Sequence, residues 1–302
     1  MDRLDREVLG LTLTQYGWAT GSFINRNHFA NYLVMCLCAG IGLMISLQPE
    51  YRADSWRQRI RNGILTLFGP RARLRVFLAL IVVTLVLTRS RMGNMAFFIS
   101  LLAAGGLALL LIRGRQRSLM WLIGSLVAID LLIIGSWFGM DQVVDRIQQT
   151  VSVQEEGPTL HAQDRLGAFR ETAGVSREAP LTGSGAGSYY TLFPHLRQPD
   201  QKFLDHAHND YVELAVEYGL PGFLLLLSLV GVSVIRALRL LALRADPLAL
   251  GSAFTCLMAV IAMALHALVD FNLHIPANAA TFLALLALPW LSDLGAARDG
   301  KG

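Results

Sequence analysis

Apolar residues in this chain come in unbroken runs too long for a soluble core. That pattern limits the fold more than any single motif does. The runs lie near 28–47, 76–87, 94–112, 119–138, 221–235, 248–269 and 275–290. A helix needs about 20 apolar residues to cross a ~30 Å hydrocarbon layer, where no water can satisfy free backbone groups. Composition agrees: only 16% of the 302 residues are charged, against about a quarter in soluble domains. The expected fold class is therefore all-α: a polytopic integral membrane protein of about seven transmembrane helices, with a long outer loop carrying short amphipathic helices. The run at 76–87 is short for a bilayer and draws Thr88, Arg89, Ser90 and Arg91 to its edge.

The same reading divides the chain into five parts. Residues 1–27 are a polar lead, and 28–138 are a first membrane bundle of about four spans. Residues 139–220 are the loop bearing the candidate chemistry, 221–291 are a second bundle of about three spans, and 292–302 are a tail. Arginine placement orients these parts, because cytoplasmic loops collect Lys and Arg. Dense clusters follow the first run (Arg52 to Arg75), the third (Arg113, Arg115, Arg117) and the fifth (Arg236, Arg239, Arg244). Those loops and the tail are expected in the cytoplasm, with 139–207 outside. The net charge of +4 raises nucleic acid as a partner, but arginines set between apolar runs fit membrane topology instead. Residues 1–27 then fall outside, although residues 1–10 show no signal peptide. The simplest account is that further helices precede the chain or that it is a short variant. No internal repeat is visible, which argues against an inverted-repeat transporter. Cys36, Cys38 and Cys256 all lie in apolar runs and are expected to be thiols, with no disulfide framework.

The densest polar stretch runs from His206 to Gly222. Asp210, Glu213 and Glu217 recur at helical spacing and predict a polar stripe on a short interfacial helix. Gly219 is a natural stop, and Pro221 suits the first turn of the next helix. His208 then sits at a helix start at the membrane surface, where an imidazole can move protons near neutral pH. Asp205, His206, His208 and Asp210 also have a spacing compatible with a metal. However, no further cluster in the sequence completes a coordination shell, so no metal is expected. Asp270, Asn272, His266 and His274 bracket the outer end of the sixth run, and ionisable groups at that depth invite a functional reading.

The long loop carries two further features. Arg165 and Phe169 are one turn apart in a stretch with amphipathic spacing. Gly183, Gly185 and Gly187 alternate, so their backbone N–H groups can approach an anion, although a flexible turn is the plainer reading. Arg89 and Arg91 are either snorkelling anchors or phosphate ligands.

Together these residues resemble the O-antigen ligase and polymerase superfamily of bacterial membrane glycosyltransferases. His208-Asn209, nine residues, then Gly219-Leu-Pro-Gly222 fits that family's histidine motif at every fixed position. The 21–30 segment, Ser90-Arg91, Arg165 and the Gly183-x-Gly-x-Gly turn follow the family order, although relatives usually carry several more N-terminal spans. The resemblance implies a GT-C-like enzyme using undecaprenyl-pyrophosphate-linked glycans at the outer face of the inner membrane, with no metal or other cofactor. It implies catalytic roles for Arg91, Arg165 and His208. Arg26, Arg89, Asn209, Gly183, Gly185, Gly187, Tyr189 and Asp270 are the expected substrate contacts. Partners would be the lipid-linked glycan, an acceptor lipid (lipid A-core or similar) or saccharide, and the bilayer. The alternatives are an O-antigen or exopolysaccharide polymerase, a protein O-oligosaccharyltransferase, a polysaccharide or lipid transporter, and an inactive truncated scaffold.

Overall fold

Capping chemistry places most of the helix starts. The computed structural model describes residues 4–8, 11–15, 18–47, 69–111, 124, 172, 179–196, 205–243 and 246–299. Helix α1 (Arg26–Ser46) opens on Asn25, whose side chain accepts the Asn27 N–H at 2.8 Å. Helix α2 (Pro70–Leu87) has proline in its first turn, where the missing N–H costs nothing. Helix α3 (Arg91–Leu111) follows Ser90, whose hydroxyl accepts from Gly93 N–H at 3.1 Å. A short helix, α4, covers Tyr189–Leu196. Helix α5 (Asp210–Ala242) is capped by Asn209, and α6 (Pro247–Ala267) by Asp246. A 3-10 turn, Asn272–His274, leads into α7 (Pro276–Asp299).

Among the described helices, α1, α3, α5 and α6 are long and apolar enough to cross a membrane, and α7 adds a shorter apolar stretch at Pro276–Leu291. The protein is an all-α, multi-pass membrane protein. Helix α2 begins six residues before the apolar run, taking Arg71, Arg73 and Arg75 into its first turns. The run alone looked too short because the arginine stems extend the helix beyond it. The expected span at 119–138 and the Arg165 stretch lie outside the described residues. The polar lead holds one addition: strands β1 (Leu4–Val8) and β2 (Leu11–Gln15), paired antiparallel with Arg6 opposite Leu13. Alternating apolar and polar residues in 11–15 carry that signal.

Helix α6 is the axis of the bundle and packs on α1, α3, α5 and α7. Some 67% of its apolar window is buried, against 22% for α5. Helix α5 instead turns Leu224, Leu225, Leu229, Val232 and Ile235 outward, as a lipid-facing helix does. Helices α1 and α6 meet at glycines. A Cβ on Gly42 would collide with Thr255, and one on Gly251 would collide with Ser46. Small residues allow such close approach where lipid supplies no hydrophobic drive between helices.

Helix α5 breaks where the sequence suggested. Gly219 has φ 66° and ψ 174°, a left-handed entry that favours glycine, and the chain resumes as helix through Pro221. The break separates a two-turn surface segment, 210–218, from the span. The segment lies against the end of α6, where the Asn209 and Tyr211 side chains donate to the Leu268 and Ala264 carbonyls.

Candidate active site

The polar residues gather at one end of the bundle. The start of α1, the α2–α3 junction, the surface segment of α5 and the α6–α7 connection all meet there. Asp270 is the focus. Its Oδ1 lies 3.4 Å from His28 Nε2 and 3.6 Å from His208 Nδ1, and it accepts its neighbour Phe271's N–H at 3.0 Å. The carboxylate is 3% exposed. Burial pushes it up, but the His208 and His28 imidazoles and the Phe271 amide outweigh burial and hold it well below the usual carboxylate range. Phe271 orders the rings around it. His206 stacks on its face at 4.0 Å, while His28 and His208 meet it edge-on at 4.6 and 5.1 Å.

His208 has φ 50°, and Arg89 has φ 53°. Among the described residues they are the only non-glycines with positive φ. Non-glycine residues hold that conformation only when the surroundings impose it, and such residues collect at functional sites. Both positions were singled out from sequence for chemistry, not for backbone shape.

A second cluster supports the first. Asp210, Glu213 and Glu217, read from sequence as an interfacial stripe, are instead buried and face inward. The inversion has a physical cause: the α6–α7 connection supplies a histidine to meet them. His274 Nδ1 lies 2.9 Å from Asp210 Oδ1, and its Nε2 lies 3.5 Å from Glu213 and 3.7 Å from Glu217. Burial lowers the His274 imidazole, but Asp210, Glu217 and Glu213 outweigh it and raise its pKa to about 10. Glu213 also grips the histidine loop, with His206 Nδ1 at 2.6 Å and the Ala207 N–H at 2.9 Å. Donor atoms of His206, Glu213 and His274 lie within 4.8 Å of one another, close enough to share a cation.

The glycine turn meets the same helix. Ser184 and Gly185 N–H groups donate to the Val216 and Glu217 carbonyls at 2.9 Å, and Leu220 N–H donates to Pro180 at 2.8 Å. These bonds satisfy the carbonyls that the Gly219 break exposes. Gly183 N–H donates to Ala179. Tyr189 N–H reaches the Glu217 carboxylate at 3.2 Å, and the Gly187 amide also serves that carboxylate. The anion nearest this turn is thus the protein's own Glu217. A Cβ on Gly183 would overlap the Glu217 carbonyl, and one on Gly219 would come within 2.6 Å of the Leu181 carbonyl.

The arginines occupy the other side of the mouth. Ala19 N–H donates to the Leu87 carbonyl at 3.0 Å and ties the segment before α1 to the end of α2. Arg26 stacks over Trp18 at 4.6 Å and lies within electrostatic range of Arg89 and Arg91. Among the described residues no carboxylate pairs with these three. Arg26 and His28 share the first turn of α1, so the arginine side and the histidine side join there. On the histidine side opens a cavity of about 740 Å³ lined by Asn25, His28, Asp205, His206, His208 and Phe271, with Phe23 and Ile24 on the apolar wall. Asn209 does not reach into this site; it caps α5 and donates to the Leu268 carbonyl at 3.1 Å.

Sequence reading placed His208, Asp270, Arg26, Arg89 and Arg91 among the candidates, and the fold gathers them at one end. It passed over His28, which was visible only as the residue after Asn27 in the 21–30 segment. It noted His274 and Glu213 without joining them, because 61 positions separate the two. A family model described as O-antigen ligase matches residues 76–227, half of the chain. That range takes in Arg89, Arg91, the glycine turn, His208 and the broken helix. No curated protein matches the chain.

Proposed function

The chain belongs to the O-antigen ligase family, and on that premise we propose that it is a membrane glycosyltransferase. It moves a glycan from undecaprenyl pyrophosphate to an acceptor hydroxyl, on lipid A-core or a similar carrier, at the periplasmic face of the inner membrane. The observation that carries this reading is a histidine backed by a buried carboxylate, beside arginines that no described acid neutralises. An Nδ1–H on His208 directed at Asp270 leaves Nε2 as the lone-pair nitrogen. That nitrogen takes the acceptor's proton while the acceptor oxygen bonds to the anomeric carbon. The bond from that carbon to the pyrophosphate oxygen breaks with its electron pair, and undecaprenyl pyrophosphate leaves. Arg26, Arg89 and Arg91, with Arg165 from the long loop, balance the charge on the departing group and take the place of a metal in this step. Asp270 stabilises the imidazolium that forms, and a single displacement inverts the anomeric configuration.

A polymerase acting on repeat units, or a protein O-oligosaccharyltransferase, would use the same groups with a different acceptor. The test is reconstitution of the purified chain with undecaprenyl-pyrophosphate glycan and each acceptor class. The reading predicts an inverted linkage in the product, read by NMR, and equimolar release of undecaprenyl pyrophosphate. A product that retains the donor configuration overturns the single-displacement mechanism, and movement of lipid-linked glycan without bond cleavage overturns the enzyme.

A further inference from the structure

We propose that His206, Glu213, Glu217 and His274 bind one divalent transition-metal ion, and that this ion staples the His208 loop in place. The four donors come from three separate stretches: the loop before α5, the surface segment of α5, and the 3-10 turn before α7. Hydrogen bonding alone leaves this set incomplete. His274 Nε2 is buried and, among the described residues, has no hydrogen-bond partner. It faces Glu213 Oε1 at 3.5 Å and Glu217 Oε2 at 3.7 Å, both too long for hydrogen bonds. Those separations suit two ligands of one ion, since bonds of about 2.0–2.1 Å at tetrahedral angles set neighbouring donors about 3.3 Å apart. The His206–Glu213 contact, 2.6 Å, opens modestly to admit the ion. His206, Glu213 and His274 already converge within 4.8 Å, and with Glu217 drawn in as the fourth ligand, two imidazoles and two carboxylates point to zinc.

The surroundings are those of a metal site. His274 directs its other nitrogen at Asp210, 2.9 Å away, and Asp210 is itself held by the Leu273 N–H at 3.1 Å. A ligating histidine oriented by a carboxylate is the usual outer support of bound zinc. Glu213 and Glu217 are 1% and 3% exposed, and Asp210 is fully buried. The ion also has work to do. His208 holds φ 50° two residues after His206, and a staple on both flanks of that residue maintains a conformation the chain would not adopt alone. None of the four donors belongs to the transfer step, so this proposal does not depend on the enzymatic reading.

The test uses the full chain in detergent, with any affinity tag removed. Elemental analysis of the wild type is expected to find about one zinc per chain. After chelation, Co²⁺ titration is expected to give the intense visible spectrum of a tetrahedral nitrogen and oxygen site, bleached by added Zn²⁺. Glu213→Gln and His274→Ala should abolish that spectrum, and Asp210→Asn should weaken Co²⁺ binding by about 10–100-fold. A wild type that neither carries zinc nor gives the Co²⁺ spectrum overturns the proposal. So does a spectrum unchanged in the variants, which would mean an adventitious ion only. The wild-type titration decides even if a variant fails to fold. All these readouts are taken without glycan substrate, so their failure is distinct from failure of the transferase reading.

Discussion

The two sides of the mouth are built on opposite principles. On the histidine side each carboxylate meets an imidazole or a backbone amide, and Asp210, Glu213, Glu217 and Asp270 are all buried. On the arginine side Arg89 and Arg91 are exposed, Arg26 is half-buried, and they face one another without a described acid between them. The first side meets its acids with the protein's own groups before any substrate binds. The second gathers like charges, which costs energy until an anion arrives. On the proposed mechanism, such a site holds its base rigidly and waits for a phosphorylated substrate. It separates groups that must be oriented beforehand from groups whose partner comes with the reaction.

That contrast can be broken at several points. The largest effect is expected at the base: His208→Ala should cut transfer by about 10²–10⁴-fold while leaving the protein membrane-inserted, measured by product formation per inserted chain. Arg91→Ala should cost about 10²–10³-fold in kcat, and its signature lies in ligand response. Pyrophosphate should raise the thermal midpoint of the wild type by mass action and raise that of Arg91→Ala or Arg26→Ala less. An equal rise in all three would mean that the arginines do not wait for phosphate.

Asp270→Asn tests the orienting carboxylate. The carboxylate lies 3.6 Å from His208 Nδ1 and acts through charge rather than a hydrogen bond, so transfer should fall by about 10-fold. It also has a pH signature. A carboxyl whose folded pKa is depressed stabilises the fold above its unfolded pKa of about 3.9, and that contribution is lost as pH falls through the lower folded value. The stability gap between wild type and Asp270→Asn should therefore stay constant from pH 8 to about pH 5 and shrink below about pH 4, as read by thermal unfolding in detergent. The smallest effect belongs to the scaffold. Gly219→Ala forces a Cβ into a positive φ beside the Leu181 carbonyl. It should destabilise the surface segment by about 1–3 kcal/mol, seen as faster amide exchange at 210–218 with the spans unaffected.

Much of this architecture is written in local pattern. The apolar runs gave α1, α3, α5, α6 and the apolar part of α7, because in a membrane the length of a run and its spanning role are one constraint. The break at Gly219 was legible because a helix stop followed by Pro221 has few other meanings. Partnership across the chain was not. His274 answers Asp210 from 64 residues away, and His28 answers Asp270 from the far end of the sequence. No periodicity links such positions. The same limit explains the carboxylate stripe: helical spacing shows that Asp210, Glu213 and Glu217 share a face, but only the packing of the α6–α7 connection decides that the face is buried. For the glycine turn the sequence offers a flexible turn as the plainer reading and an anion cradle as the alternative, and no local pattern shows the acceptors its amides meet, the Val216 and Glu217 carbonyls.

The central claim is that one imidazole and a group of guanidinium ions act together on a lipid-linked glycan. It is tested most directly by single-turnover transfer in proteoliposomes, comparing the wild type with His208→Ala at equal protein and saturating donor. The account predicts that the wild type forms glycosylated acceptor and undecaprenyl pyrophosphate in step, while the variant binds donor as well but leaves it uncleaved. Equal cleavage by both proteins would contradict it.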